Sequence, residues 1–187
     1  ADDQGFTTLV PKAFVQKMQP QDPKDPLLLQ VLPQSLEAIH HPEFNNDPLQ
    51  EAQFNPVPGV VHKYKGRALL IAAGHCAINC RYCFRRHYPY NEQKLARTQW
   101  QQSLSYIEQH PDIEEIILSG GDPLALTDPQ LFSLIEAIEG IAHIKRLRIH
   151  SRLPIVLPQR ITLELCQRLE RSRLTCVMVV HANHANE

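Results

Sequence analysis

Four short apolar runs, separated by segments with helical periodicity, restrict the fold of this chain more than any other feature of its sequence. The runs are RALLIAA (67–73), EEIILSG (114–120), IKRLRIH (144–150) and LTCVMVV (174–180). Strands that are apolar almost throughout are typical of parallel sheets covered on both faces, and right-handed strand–helix–strand connections curve such sheets. The sequence therefore predicts an α/β fold in which a parallel sheet forms a partial barrel.

Three segments between or beside these runs carry apolar residues at helical spacing. The first is 92–110, the second is 127–140, and the third begins after Thr162. We expect the third helix to turn three side chains towards the core, namely Leu165, Cys166 and Leu169.

Residues 1–58 differ from the rest of the chain because they contain nine of the fifteen prolines. Proline lacks an amide donor and fixes its own φ, so this part is predicted to form short helical turns joined by extended segments. We therefore divide the chain into a Pro-rich N-terminal arm, residues 1–58, and a domain that contains the sheet, residues 59–187.

The composition excludes several classes of protein. The 187 residues are 43% hydrophobic and carry a formal net charge of −1, which suits a soluble chain of about one domain. No apolar run reaches the roughly 18 residues of a membrane span, and the first residues lack the pattern of a signal peptide. The near balance of acidic and basic residues argues against a nucleic-acid-binding surface. We expect a cytoplasmic protein, in which cysteines are free thiols or metal ligands.

Three of the five cysteines lie at positions 76, 80 and 83, just beyond the first predicted strand. In parallel α/β folds, ligand sites lie at the carboxyl ends of the strands. The spacing C-x3-C-x2-C suits a 4Fe-4S cluster, in which three thiolates bind three irons and the fourth iron stays open. Two other interpretations remain open here: a zinc site completed by His75 or His87, and three buried cysteines without a ligand.

The segment ILSGGDPL (117–124) ends the second predicted strand with two glycines and an aspartate. Gly120 and Gly121 let a ligand approach the backbone closely, and Asp122 supplies an anionic acceptor for an ammonium group. A simple turn at the end of the strand is the alternative.

The segment CAINCRYC (76–83), with Tyr82 before its last cysteine, resembles the cluster loop of the radical S-adenosylmethionine enzymes. Within that superfamily, the chain is similar to the lysine 2,3-aminomutase family from about Val57 onward. The runs that carry this similarity are VPGVVHKYKGRALL (57–70), CAINCRYCFRRHYPY (76–90), SGGDPL (119–124), RLRIHSRLPIVLPQRIT (146–162) and HANHANE (181–187). The forms CFRRH, IHSRLPIV and NHANE most resemble the bacterial branch that makes β-lysine for the modification of elongation factor P.

The resemblance implies that L-lysine is isomerised to β-lysine by radical migration of its amino group from C2 to C3. A 4Fe-4S cluster would reduce S-adenosylmethionine bound at its open iron, and the resulting 5′-deoxyadenosyl radical would abstract hydrogen from lysine. Pyridoxal 5′-phosphate, as an imine on the substrate amine, would carry the migrating nitrogen. The protein then has to orient and shield these reactive groups.

The same resemblance implies roles for individual residues. It assigns the cluster ligands to Cys76, Cys80 and Cys83. It assigns contacts with S-adenosylmethionine to Tyr82, Ser119, Gly120, Gly121, Asp122 and His181. Arg85 is expected to pair with the carboxylate of lysine through its planar guanidinium group. Arg67 and Lys63 are expected near pyridoxal phosphate.

The resemblance also implies a longer protein, because the family fold has six strand–helix units and this sequence shows four strands. The family's pyridoxal-binding lysine and the aspartates for the distal ammonium group lie later in its sequences, so no residue here receives those roles. We therefore expect this chain to be a fragment. The substrate implied for the whole protein is lysine, and its product would pass to the modification of elongation factor P. A homo-oligomer is possible. A radical S-adenosylmethionine enzyme of another reaction type and a non-enzymatic zinc-binding domain remain alternatives.

Overall fold

The computed structural model describes residues 7–39, 41–43, 45, 47–88 and 97–187. In this part of the chain, an open five-stranded sheet has its strands in chain order. The strands are β1 (Val60–Tyr64), β2 (Arg67–Ala73), β3 (Glu115–Gly120), β4 (Arg146–Ser151) and β5 (Thr175–Val180). Strands β2 to β5 are parallel, and helical segments connect them. The predicted α/β fold with a partial barrel is confirmed.

The sequence pattern does not predict β1, which makes the sheet mixed rather than wholly parallel. Only Lys65 and Gly66 separate β1 from β2, too few residues for a crossover, so the two strands form an antiparallel hairpin. Gly66 has a φ of 80°, which suits the left-handed position of a tight turn. Val60 pairs with Leu70, and both are fully buried. Strand β1 thus covers one edge of the parallel sheet.

The predicted helices are present. The α-helices are α1 (Lys12–Val15), α2 (Arg97–Glu108), α3 (Asp128–Glu139), α4 (Leu153–Val156) and α5 (Leu163–Glu170). Short 3-10 helices lie at Leu28–Gln30, Ser35–Ala38, Glu51–Phe54, Pro123–Ala125 and Pro158–Arg160. The three expected helices correspond to α2, α3 and α5, although residues 92–96 of the first lie outside the described residues. No helix in the described ranges is both long and apolar enough to cross a membrane.

The expected inward orientation of Cys166 is wrong. Cys166 is exposed, whereas Leu165 is buried and Leu169 is half-buried. Leu165 and Leu169 are four residues apart and share a helix face, while each step along an α-helix rotates a side chain by about 100°. Helix α5 therefore buries only a narrow stripe, and Cys166 lies outside it.

The Pro-rich arm consists of short helical turns and packs against the segment that contains the three cysteines. A small buried cluster joins the two parts and contains Phe14, Leu27, Val31, Ile78 and Val156. The backbone amide of Asn79 donates to the carbonyl oxygen of Leu9 at 2.9 Å, and that of Arg81 donates to the oxygen of Gln30 at 2.8 Å. The arm is thereby held beside the carboxyl edge of the sheet.

Helix α3 offers a direct test of the packing, because Ile135 is fully buried between this helix and the sheet. We expect Ile135→Ala to lower the free energy of unfolding by about 2–5 kcal/mol, since it removes buried methylene groups and leaves a cavity. Glu136→Ala, on the exposed side of the same helix, is the matched control and should change stability by no more than about 0.5 kcal/mol. Urea denaturation followed by circular dichroism measures both, and equal effects would contradict the observed orientation of α3.

Candidate active site

Three segments meet where β2, β3 and β4 end. The segment after β2, residues 74–88, contains the three cysteines, and we call it the cysteine loop. The segment after β3 contains Asp122, and the segment after β4 contains Arg152. Because the carboxyl ends of parallel strands lie at one edge of a sheet, these three segments form one site.

The cysteine loop places its three thiols near one another. Cys76, Cys80 and Cys83 are all partly buried. Burial, followed by the charges of Asp122, Cys83 and Cys80, raises the pKa of Cys76 to about 12. Burial also raises the pKa of Cys83. Cys76 therefore stays protonated at neutral pH until a metal displaces its proton, and the loading of the loop with metal releases protons.

The arrangement of these thiols fits an iron–sulfur cluster. Among the residues that the structure describes, no three His, Cys, Asp or Glu side chains are close enough to hold a single metal ion. A 4Fe-4S cluster sets a different requirement, because each thiolate binds a separate iron. Three half-buried thiols that influence one another electrostatically are a suitable donor set for it.

The two glycines after β3 allow the chain to approach itself closely. A Cβ atom on Gly121 would lie 2.2 Å from the carbonyl oxygen of His75, and one on Gly120 would lie 2.7 Å from that of Ala73. The amides of Gly121 and Asp122 donate to these oxygens of Ala73 and His75 at 2.7 and 2.9 Å. The sequence predicts that a ligand lies against these two glycines, whereas in the structure the beginning of the cysteine loop lies there. Contact between these glycines and S-adenosylmethionine stays a prediction.

Asp122 is buried, and its carboxylate accepts four hydrogen bonds from its own chain. The hydroxyl group of Ser151 donates at 2.7 Å, and the backbone amides of Arg152, Leu124 and Leu153 donate at 2.8, 3.0 and 3.3 Å. Burial raises the pKa of Asp122, and these bonds counteract that rise. The carboxylate thus joins the end of β3 to the end of β4, and its expected contact with an ammonium group stays a prediction.

Arg85 is buried and forms a two-point ion pair with Glu51 of the arm. Its Nε and Nη2 donate to the Glu51 carboxylate at 2.8 and 2.6 Å, and its Nη1 donates to the hydroxyl group of Ser119 at 2.9 Å. A cavity of about 430 Å³ adjoins the pair and is also lined by Phe84 and Tyr88. In this structure the carboxylate partner of Arg85 is Glu51 of the arm, and the expected pairing of Arg85 with the carboxylate of lysine stays a prediction.

Arg152 connects every part of the site. Its guanidinium group donates to Sγ of Cys80 at 2.7 Å and to Oε1 of Glu187 at 3.2 Å. It also donates to the side chains of Gln30 and Tyr82. The residue is only 4% exposed. One buried cation therefore links the arm, the cysteine loop and the segment after β5.

Tyr82 and His181, two of the expected S-adenosylmethionine contacts, lie side by side. Their rings meet edge to face with centroids 5.8 Å apart, and the Tyr82 hydroxyl group also bonds the amide of Asn183. The segment after β5 therefore reaches the cysteine loop.

Arg67 and Lys63, by contrast, lie away from the cysteines. Arg67 begins β2 and Cys76 follows the other end of that strand, so about 20 Å of strand separates them. The Arg67 guanidinium group lies 4.8 Å from the ring centroid of Tyr64, and Nζ of Lys63 donates to the carbonyl oxygen of Leu49 at 3.0 Å. Their role near pyridoxal phosphate stays a prediction.

Comparison with known proteins shows which proteins this chain resembles. Residues 64–151, which include the whole cysteine loop, match the family model described as a 4Fe-4S single cluster domain. Over 182 residues, the chain is 51% identical to the L-lysine 2,3-aminomutase of Haemophilus influenzae and 52% identical to that of Escherichia coli. Over nearly its whole length, the chain therefore resembles the lysine 2,3-aminomutases. It is also 35% identical over 175 residues to the L-lysine 2,3-aminomutase of Clostridium subterminale.

These alignments cover 97%, 97% and 93% of this chain, but only 54%, 53% and 42% of the respective relatives. The chain thus spans about half the length of the first two aminomutases. The two kinds of match together confirm the predicted 4Fe-4S cluster and S-adenosylmethionine as cofactors. They also favour a cluster over zinc as the metal of the cysteine loop.

Several residues of this site escape sequence-based prediction, among them Gln30, Glu51 and Arg152. A signal for Arg152 exists, because it ends the polar triplet HSR (150–152) and directly follows β4, at the edge where sites form. Gln30 and Glu51 lie in the Pro-rich arm without any motif, and only the tertiary structure brings them to the cysteine loop.

The close approach at Gly121 leads to a prediction about metal loading. We expect Gly121→Ala to lose most of the iron that the parent binds on anaerobic reconstitution, because its Cβ would displace the His75 backbone and with it the start of the cysteine loop. Gly140→Ala is the control, since its Cβ would lie 3.2 Å from its nearest neighbour, the carbonyl oxygen of Ala137, at a helical φ of −65°. Iron analysis per chain decides between them, and full iron content in Gly121→Ala would show that the contact is dispensable.

Proposed function

We propose that this chain is part of an enzyme that converts L-lysine to β-lysine by radical migration of the amino group from C2 to C3. The observation that carries the proposal is 51–52% identity over 182 residues to proteins named L-lysine 2,3-aminomutase. The three-cysteine loop and the segments after β3, β4 and β5 meet at one edge of the sheet, as a shared active site requires.

In this proposal, Cys76, Cys80 and Cys83 bind the 4Fe-4S cluster. When bound there, the cluster would supply the electron for reductive cleavage of S-adenosylmethionine, and pyridoxal phosphate would support the migrating nitrogen. The protein contributes thiolate ligands in a half-buried loop. Behind this loop lies the group of buried apolar side chains that contains Ile78. Shielding of this kind protects a reactive radical from solvent and side reactions.

Tyr82, His181 and the Ser119–Asp122 segment are proposed to contact S-adenosylmethionine. Support comes from the edge-to-face contact of the two rings and from the hydrogen bonds that join the residues after β3 to the start of the cysteine loop. Asp122 serves this segment mainly by fixing the ends of β3 and β4. Arg67 and Lys63, at the hairpin end of the sheet, are proposed to lie near pyridoxal phosphate.

Arg85 is proposed to bind the carboxylate of lysine. A planar guanidinium group recognises a carboxylate through two parallel hydrogen bonds. The bidentate pair of Arg85 with Glu51 supports this role, because it is the same kind of contact with a carboxylate. The adjoining cavity of about 430 Å³ has room for a lysine side chain. Glu51 and Ser119 hold the guanidinium group in a fixed orientation, which favours a single substrate pose.

We further propose that the product serves the β-lysylation of elongation factor P in the cytoplasm, and that residues 1–58 act as an arm on the catalytic domain, residues 59–187. Higher identity to the relatives from Haemophilus influenzae and Escherichia coli than to that from Clostridium subterminale supports the branch assignment. The arm supports the site by contributing Gln30 and Glu51 to it.

The proposal predicts the behaviour of Arg85→Lys in the full-length enzyme that contains this chain. An ammonium group gives one point contact in place of two, so the substrate can rotate, and we expect kcat/KM for lysine to fall about ten- to hundredfold. That loss corresponds to about 1.5–3 kcal/mol, as for a hydrogen bond to a charged group. Anaerobic turnover followed by chromatographic separation of lysine and β-lysine measures the effect.

Arg86→Lys is the matched control. Arg86 lies next to Arg85 in the cysteine loop, but its guanidinium group pairs with Glu37 of the arm at 2.8 Å. This variant should keep its kcat/KM, and both variants should keep their iron content. Parental kcat/KM in Arg85→Lys would remove Arg85 from the substrate site. Absence of any β-lysine from the parent would contradict the proposed reaction itself.

A further inference from the structure

Arg152 contacts a cluster ligand through its side chain, which suggests a role beyond structural support. We propose that Arg152 is a positioning residue that donates an N–H···S hydrogen bond to Cys80 and thereby raises the reduction potential of the cluster. The inference rests on the 4Fe-4S cluster of the proposed function. It concerns how readily that cluster accepts an electron, and it names a residue outside the cysteine motif that controls this property.

The position of Arg152 is fixed by its backbone. Its amide donates to Oδ2 of Asp122 at 2.8 Å, and the next amide, of Leu153, donates to the same oxygen at 3.3 Å. The preceding residue, Ser151, donates its hydroxyl group to Oδ1 of Asp122 at 2.7 Å. The end of β4 is therefore anchored on both sides of Arg152, and the side chain starts from a defined point beside the cysteine loop.

The guanidinium group is equally well defined. It contacts Cys80 at 2.7 Å and Glu187 at 3.2 Å, and it bonds the amide oxygen of Gln30. It lies over the rings of Phe14 and Tyr82, with centroid distances of 5.6 and 5.7 Å. With 4% of the residue exposed, the cation cannot exchange these partners for water without opening the arm. Its Nη1 group therefore stays directed at the sulfur, while Nη2 donates to Gln30 and Glu187.

Such a bond has a predictable effect on an iron–sulfur cluster. Reduction adds one negative charge, which the cluster shares with its thiolate ligands, and hydrogen bonds to the sulfurs are among the factors that set the potential. A donor with a positive charge stabilises the reduced form more than the oxidised form, because the attraction grows with the negative charge and the site has a low dielectric constant. Arg152 should therefore make the potential less negative.

Another arginine of the same loop provides an internal comparison. Arg81 is covalently next to Cys80, but its guanidinium group pairs with Glu37 at 2.5 Å and donates to the carbonyl oxygen of Leu29 at 3.3 Å. Arg81 thus places a similar charge near the cluster while its side chain is directed at the arm. Comparing the two arginines separates a general charge effect from a bond to sulfur.

The test uses this chain, reconstituted anaerobically with iron and sulfide, and compares the parent with Arg152→Met, Arg152→Lys and Arg81→Met. Iron and sulfide are counted first, and the potential is then measured by redox titration followed by EPR. In Arg152→Met we expect the ratio of reduced to oxidised cluster at a fixed potential to fall about tenfold, equivalent to a shift of about −59 mV for one electron. Arg152→Lys keeps the charge and should lie between Arg152→Met and the parent, and Arg81→Met should differ less from the parent than either.

A second measurement detects the bond itself. In the parent in D2O, ENDOR of the reduced cluster should show a strongly coupled exchangeable deuteron that is missing in Arg152→Met and present in Arg81→Met. Equal potentials in the parent and Arg152→Met, or an equal shift in Arg81→Met, would overturn the inference. Folded Arg152 variants that hold no cluster at all, including Arg152→Lys, would overturn it as well, because the residue would then serve assembly alone. A parent without about four irons per chain would instead overturn the proposed function on which the inference rests.

Discussion

The site depends on the contact between the end of β3 and the beginning of the cysteine loop. The backbone of Gly121 approaches His75 so closely that even a methyl group at Gly121 would lie 2.2 Å from the His75 oxygen. Asp122, the next residue, then binds the end of β4 through one hydroxyl and two amide donors. Two adjacent residues thereby fix the three segments that carry the cysteines, the glycines and Arg152. A buried carboxylate is tolerated at this point because its own chain supplies the donors that water would otherwise provide.

The arm completes the site by compensating positive charge. Arginines in and near the cysteine loop would repel one another if they were buried without partners. Glu37 pairs with Arg81 and Arg86, Glu51 pairs with Arg85, and Gln30 accepts from Arg152. These contacts span more than thirty residues of sequence in every case, so the loop and the arm depend on each other for order. The arm is in this sense part of the active site, although its sequence carries no catalytic motif.

Sequence patterns predict the framework of this protein and miss its long-range polar contacts. Apolar periodicity locates β2 to β5 and the three main helices, and the cysteine spacing locates the cluster loop, because both signals are local in sequence. Strand β1 is missed because VVHKY shows no alternation of apolar and polar residues: its first two residues are buried and its last two are exposed. The sequence predicts the wrong face for Cys166. Helix α5 has eight residues and buries only Leu165 fully, so the adjacent residue, Cys166, lies outside the buried face. Glu51 and Gln30 could not be predicted, since only the tertiary structure brings them to Arg85 and Arg152.

The central claim is that the cysteine loop holds a cluster with one iron open to S-adenosylmethionine. The most direct measurement is pulsed EPR of the reduced, reconstituted chain in the presence of S-adenosylmethionine labelled with 17O in its carboxylate. The account predicts a strong 17O coupling to the cluster signal, together with loss of the whole signal in Cys80→Ala. A cluster signal without 17O coupling, or one that survives in Cys80→Ala, would contradict it.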